Sequence, residues 1–528
     1  MDEMQNGEPK RKGISKKVIA IIVVAVLLIG GGVAAYALLT GTDKAQYFKA
    51  EQSTITFMQD QFTKRYEPEI DWSKQARENP TETTFDLSGE INQAGGYGLM
   101  DPQQMINNAT LSLTAQTDLN KKQLITNMKA NVGGMEIKDM SFYLDADQLR
   151  VGLPFLDESL QIKDKDIGSL LHEADPTFPE GETLNFDTFF ELVKGLSEKD
   201  RDYLKEEYMT AIYKDLPEDA FESTKETIKV DDKNFDTKKL TFHLTEQETK
   251  DILVSILEKV QNDKKLQKIV KEQMEIRFFG INPTALDVDF KESLDDLFGK
   301  ELDEAIEDVK DSRIPHGLTS IIWVKNDLIV KRDFSIGAGS SKDNIQTLTV
   351  KGTHLLSDTT QKFDYTITGG DDIQKEAVTL NGDLSWKDNK ANDSIKLVMD
   401  EGELSYTSTE ELKNDKRNFE REFSVSGPGA ESYSLHWAGD ASYDHDKMNS
   451  ENTFSLDAPG INQDAFSLHV AKDAKTIKEV KTPDNSNVKD LGSMSVNEIM
   501  DYVETDVMPQ YQQWIMGILG NGGGLNGL

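Results

Sequence analysis

From Gly317 onward the chain alternates apolar and polar residues in short runs for roughly 160 residues, and this period of two restricts the fold more than any other feature. Strands with one apolar and one polar face, separated by Gly, Asn and Asp turns, must pair with neighbours and bury one side. "IIWVKNDLIVKRDFSI" reads as a hairpin with Asn326-Asp327 at its turn and Trp323, Val330, Phe334 and Ile336 available for burial. "TLTVKG", "FDYTIT", "VTLNGDLSW", "IKLVM", "FEREFSV", "YSLHW", "TFSL" and "FSLHV" follow at short spacing. The pattern predicts a large antiparallel meander over 317–490 in which sequence neighbours pair in space.

An earlier block has the same rhythm. "TFDLSGEI" sets Phe85, Leu87 and Gly89 against Asp86 and Ser88, "ATLSLTAQ" sets Leu111 and Leu113 against Ser112 and Thr114, and "LRVGL" continues with Leu149, Val151 and Leu153. Antiparallel strands are therefore expected from about residue 83 to 165, with Gly95-Gly96 and Gly133-Gly134 in the connections. From about residue 185 the period becomes helical, with Phe186, Phe189, Phe190 and Val193 on one stripe and Tyr203, Leu204, Tyr208, Ala211 and Ile212 on another before Pro217. Thr245 and Glu248 form a capping box ahead of Ile252, Leu253, Ile256, Leu257 and Val260, and Leu294, Leu297, Phe298, Leu302, Ala305, Ile306 and Val309 mark a further helix. Residues 69–316 thus read as a strand block with a helical insert, interrupted by one strand at Leu240–Leu244. Ser495 and Glu498 cap a last helix over 491–519, and 520–528 is a flexible Gly/Asn tail. Within that helix "WIMGILG" is too short to span a bilayer but could dip into a leaflet or cover an open sheet edge.

The N-terminal forty residues have a different character. No charged side chain lies between Val18 and Leu39, and at about 1.5 Å per residue this stretch makes roughly 33 Å of helix, enough to cross a hydrocarbon core. Val18, Ile22, Val26, Ile29, Val33 and Leu39 are the expected membrane-spanning positions. In the arm 1–17, Lys10, Arg11, Lys12, Lys16 and Lys17 outweigh Asp2, Glu3 and Glu8, which by the positive-inside rule keeps the N-terminus cytoplasmic and places the bulk of the chain outside the cell membrane. A cleaved signal peptide is the rival reading, with Val18–Ile29 as its apolar core and Ala35-Tyr36-Ala37 as the cleavage site. Either reading exports the protein. Tyr47, Phe48, Ile55, Met58 and Phe62 continue at helical spacing, so 40–68 is expected to be a helix or stalk emerging from the span. The fold class expected is α+β: one N-terminal transmembrane helix (18–39), then large curved antiparallel sheets packed on helices. "DLSGEI" beside "TLNGDLSW" hints that the sheets form two duplicated half-barrel units.

Composition narrows the function. With 94 acidic and 59 basic residues the net charge is −35; such a surface repels nucleic acid and anionic lipid head groups, and no local basic patch that would reverse this is visible in the sequence. The absence of cysteine excludes disulfides, thiolate zinc sites and a cysteine nucleophile. His436 and His469 lie at polar strand positions, as does His243, and read as solvent-facing rings without a third metal ligand. His172-Glu173 begins like a zincin helix but has Pro176 where the second histidine is required. Asp444, Asp446 and Asn449 resemble a calcium loop, yet Met448, Asn449 and Ser455 stand where an oxygen ligand, a glycine and a glutamate belong, and a polar hairpin loop is the simpler reading. "GAGSSK" at Gly337–Lys342 lacks the spacing of a phosphate-binding loop. No catalytic residue, cofactor or metal ligand is therefore expected. With so many acids, no single carboxylate pair points to a hydrolase of envelope polymers, which stays a remote alternative.

The order of basic arm, single span, "KAQYFKAEQSTITFMQDQF" helix, strands, helices, tryptophan hairpin and further strands resembles an uncharacterised family of Gram-positive bacterial single-pass membrane proteins. Its local motif, "YF-x-AE", falls here on Tyr47, Phe48, Ala50 and Glu51. The pattern of a sheet wrapped on helices is also similar to the half-barrel lipoprotein carriers of the LolA and LppX type. These resemblances imply a membrane-anchored, extracytoplasmic, non-enzymatic module that binds an apolar or amphipathic cell-envelope ligand in a cleft between sheet and helices. A scaffold or sensor domain for protein partners is the alternative, and the two differ in whether helices fill the sheet face completely.

Overall fold

The computed structural model describes residues 41–521 apart from 93–105, 133–134, 179–180, 182, 184, 278–295, 342–343, 372, 428–431 and 485. Two helices open the described chain, α1 (Asp43–Arg65) and α2 (Glu67–Glu78). The Thr42 hydroxyl accepts from the Ala45 N–H to cap α1, and Pro68 stands in the first turn of α2, where a missing N–H costs nothing. Strands β1 (Thr81–Ile91), β2 (Thr110–Asp118), β3 (Gln123–Val132), β4 (Met135–Asp145), β5 (Gln148–Gly152) and β6 (Ser159–Lys163) follow. Helices α3 (Asp164–Ala174) and α4 (Phe186–Lys194) and a broken helix over 198–215 lead to β7 (Phe221–Val230) and β8 (Lys233–Leu244). Then come α5 (Glu246–Asn262), with the Thr245/Glu248 capping box in place, and α6 (Leu302–Asp311).

The meander runs through β9 (Leu318–Lys325), β10 (Leu328–Ser341), β11 (Asn344–Leu356), β12 (Thr360–Gly370), β13 (Lys375–Lys387), β14 (Lys390–Met399), β15 (Gly402–Lys413), β16 (Lys416–Ser426), β17 (Ser432–Asp444), β18 (Lys447–Asp457) and β19 (Phe466–Thr476). A short β20 (Val488–Asp490) and the helices α7 (Val496–Tyr502) and α8 (Met508–Asn521) end it. Three hairpins turn on residue pairs with positive φ at both positions: Asn326-Asp327, Asp388-Asn389 and Asn414-Asp415. Such two-residue turns match the right-handed twist of the strands they join, and Asn and Asp tolerate that backbone best after glycine.

All twenty strands belong to one sheet. The order across it is β7 to β19 in sequence, then β1 to β6, then β20. Every pairing is antiparallel except the parallel β6–β20 contact. This corrects the expected fold class. The early strand block and the late meander are not two half-barrel units, because β1 pairs with β19 from Thr81↔Thr476 to Ile91↔Phe466 and fuses them.

The expected transmembrane helix is also corrected: no described helix is long and apolar enough to cross a membrane. The longest of them, α1, carries Asp43, Lys44, Lys49, Glu51, Asp60, Lys64 and Arg65. Val18, Ile22, Val26, Ile29, Val33 and Leu39, and the charges Lys10, Arg11, Lys12, Lys16 and Lys17, lie outside the described residues, as do Gly95-Gly96, Gly133-Gly134 and Leu294. The single-pass localisation that rested on those residues is withdrawn with the span.

The largest core lies where α1 meets β7–β10. Tyr47 and Phe48 pack against Phe221 and Phe242, whose rings stack at 4.6 Å, and Phe334, Ile336, Leu253 and Ile306 complete the cluster. A smaller core of Leu119, Leu144, Ile167, Phe186 and Phe190 joins the first strand block to α3 and α4. At the C-terminus, Tyr511 and Trp514 pack on Phe155, in the β5–β6 connection, with ring centres 5.4 and 5.5 Å away.

Phe334 is fully buried at the centre of the main core. Phe334→Ala is expected to lower unfolding stability by about 3–5 kcal/mol, seen as a fall in urea midpoint.

Candidate functional site

Residues directly opposite one another in an antiparallel pair point to the same side of the sheet, so the registers define one face. A row runs from Glu410 on β15 through Phe419, Gly439, Asn452 and Val470 to Leu87 on β1. The face holding this row is the one on which α1 and α2 lie. It has two chemically different parts.

Under the helices the face is ionic. The Glu410 side chain is fully buried and meets three guanidinium groups: Arg65 at 3.1 Å, Arg417 at 3.1 Å and Arg421 at 2.8 Å. Arg65, at the end of α1, also pairs with Asp393 on β14 at 2.6 Å, while Arg417 reaches Glu69 of α2 and donates to the Arg65 carbonyl. Three arginines thus face three carboxylates. Tyr66 and Trp386 lie against the guanidinium planes of Arg65 and Arg417, with ring centres 4.7–5.6 Å away. Burial alone would push the Glu410 carboxyl up, but the Arg65 charge and the Arg421 hydrogen bonds outweigh it and hold the group below the usual carboxylate range. A second buried pair sits nearer the start of α1, where Glu51 meets Arg332 of β10 and the Tyr47 hydroxyl donates to Ser320 Oγ at 2.7 Å. Burial, and then the charge of Arg332, push the neighbouring His354 imidazole down to about 4, so it is neutral near pH 7.

At the opposite ends of the strands the same face is apolar and open. Leu404 and Tyr406 on β15 lie beside Phe423 and Val425, then Leu435 and Tyr433, Phe454 and Leu456, Leu468 and Phe466, and finally Leu87 and Ile91 on β1. Six adjacent strands at about 4.8 Å spacing make this band roughly 24 Å across. Isolated exposed apolar residues are ordinary, but here Phe423, Val425, Tyr433 and Leu456 are 41, 50, 52 and 49 % exposed on adjoining strands. Trp437 lies on the same face, stacked on Phe454 at 5.6 Å, with its indole N–H donating to Asn452.

The other features singled out in the sequence do not converge. His436 lies 3.8 Å from Glu422, His469 meets Thr453 and Ser467, and His243 meets Thr319. Among the described residues no group of three metal-ligating side chains forms. Glu173 accepts from the Val496 N–H and so ties α3 to α7. Asp444 and Asp446 flank the tip of the β17–β18 hairpin, and Gly337–Ser341 is the end of β10. On the outer face, an open cleft of about 440 Å³ lies over β11–β14, lined by Asp231, Lys362, Asp364, Asp383 and Lys396 among others. Lys362 pairs there with Asp231 at 3.3 Å, and Lys396 with Glu403 at 2.7 Å.

No family model matches the chain, and no curated protein matches it. Among solved structures it is similar to Salmonella typhi OmpF in complex with daunomycin, at 7% identity over 76% of this chain and 99% of that one, with a TM-score of 0.22. Pseudomonas aeruginosa OccD3 (OpdP) gives 6% identity over 75% and 90%, TM-score 0.21. The CymD monoaromatic hydrocarbon channel gives 7% over 78% and 93%, TM-score 0.18. Scores this low establish no shared fold.

Glu410, Arg417, Arg421 and the open band were not among the residues singled out from the sequence. A signal was there: in "RNFEREFSV" Arg417 and Arg421 share the strand parity of Phe419, Phe423 and Val425, so an arginine at an apolar position demanded a buried partner.

Glu410→Gln leaves buried arginines under-compensated and is expected to cost about 3–5 kcal/mol by urea unfolding. Since the Glu410 pKa is lowered on folding, its stabilisation is present above the ordinary carboxylate value and is lost as pH falls through the depressed folded value. The variant should therefore show a flatter acid limb.

His354 acts at milder pH. Its folded state resists protonation, so stability is full above about 6.5 and falls by roughly 3 kcal/mol as pH drops to about 4. His354→Leu should remove that slope, measured as urea midpoint against pH.

Proposed function

We propose that this chain is a non-catalytic binding module whose open apolar band takes an elongated apolar or amphipathic ligand. The observation that supports the reading is the division of a single sheet face: α1 and α2 pack on one part of it, and the part from β15 to β1 keeps large apolar side chains in contact with solvent. Covering such a surface is favourable by about 25 cal/mol per Å² of apolar area removed from water. The residues that line it are aliphatic and aromatic, suited to contact an alkyl tail along its length and not to perform a reaction. The buried ion pairs fix α1 and α2 on the other part of the face, clear of this band.

The test is binding of a neutral long-chain alcohol to the full-length chain, read from the fluorescence of Trp437 and assigned with Trp437→Phe. Saturable binding is expected. Phe423→Glu and Leu435→Glu, which place charge on solvent-accessible positions of the band, should weaken it by at least about tenfold, equivalent to 1.4 kcal/mol, without moving the unfolding transition. Absence of binding to the native chain, or unchanged affinity in both variants, overturns the reading.

A further inference from the structure

The band has a polar end. On β19 the residues of the helix-bearing face are, in order, Phe466, Leu468, Val470, Lys472 and Ala474. Ala474 lies under α2, packed with Trp72 and Met448, and Phe466 is at the open end. Lys472 stands between them, at the boundary where the apolar band meets the helices. Its cross-strand neighbours are Ser450 on β18 and Phe85 on β1, and its ammonium lies over the Phe85 ring at 5.5 Å.

Lys472 is unlike the other cations of this face. Arg65, Arg332, Arg417 and Arg421 each meet a carboxylate at 3.1 Å or less. Among the described residues the Lys472 ammonium makes no ion pair and no hydrogen bond, and its close contact is the Phe85 ring. Burial holds its pKa below the usual lysine value, and no neighbouring acid opposes that effect. In a chain with 94 acidic residues, a half-buried lysine left without one is a specific arrangement. A recessed cation at the end of an apolar track fits a slender molecule with one anionic end better than it fits a broad protein surface, which could not lower a charged group between β18 and β1.

Resting on the binding reading above, we propose that the ligand is a single-tailed amphiphile of the long-chain carboxylate class, with its head group on Lys472 and its tail along the band toward Phe466 and Leu456. The dimensions agree: the six steps along β19 from Lys472 to Phe466, at about 3.4 Å each, span roughly 20 Å, the length of an extended fatty acyl chain. Pairing with the carboxylate restores the ammonium's lost solvation, and the tail covers the exposed apolar side chains.

The experiment compares palmitate with cetyl alcohol, which share a tail length and differ in the head, on the full-length chain and on Lys472→Met and Lys472→Arg. Binding is followed by Trp437 fluorescence and by calorimetry. The native chain is expected to bind palmitate at least tenfold more tightly than the alcohol. Lys472→Met should abolish that preference while leaving alcohol affinity and the unfolding midpoint unchanged, and Lys472→Arg should restore it. Equal affinity for the two probes in the native chain, or a preference that survives Lys472→Met, overturns the head-group assignment and leaves the apolar band reading standing. Failure of both probes to bind overturns the band reading and this inference together.

Discussion

The structure depends on a carboxylate that is buried where three arginines can reach it. Glu410 has no access to solvent, and an isolated charge there would be prohibitive. Arg65, Arg417 and Arg421 make the burial tolerable, and because Arg65 belongs to α1 while the other two belong to β16, the same contacts fix the helix on the sheet. Asp393 and Glu69 balance the extra positive charge. Ion pairs of this kind add little net stability compared with well-packed apolar residues, but they punish any other placement of the partners. The position and direction of the two helices across a wide sheet are accordingly set by charge as well as by shape.

That placement divides the face. Near β7–β10 the helix is anchored by Tyr47 and Phe48 in a conventional apolar core; farther along it is held by the arginine cluster, and Trp72 of α2 closes the contact against Met448 and Ala474. Beyond this line the strands continue with the same apolar parity, and neither α1 nor α2 covers them. The band is therefore a by-product of geometry: strands of 11 to 13 residues such as β15, β17 and β19 are longer than the two helices can cover.

Much of the secondary structure was legible because period-two alternation and capping signals are local. The Asn326-Asp327 turn and both capping boxes, Thr245/Glu248 and Ser495/Glu498, stand where the residue types placed them. What the pattern could not convey was which distant strands meet. β1 and β19 are separated by most of the chain, and nothing in "TFDLSGEI" names "FSLHVAK" as its partner; two sheets and one fused sheet have the same alternation. The ionic part of the site was hidden for a related reason. Arg65, Glu410 and Arg417 acquire meaning only when a helix from the start of the chain lies over strands near its end. The candidate head-group residue, Lys472, looks like any other lysine until its neighbours on both sides are known.

The fusion of β1 to β19 has a consequence for how the protein is made. The helices α1 and α2 and strand β1 leave the ribosome early, yet their partners on β10, β14–β16 and β19 are synthesised hundreds of residues later. Until then a nascent chain must hold Trp72 and the arginine cluster with their native contacts unmade and keep the free edge of β1 from pairing wrongly. Contacts this remote in sequence make for slow ordering, so β1 is the strand that waits longest for its second neighbour.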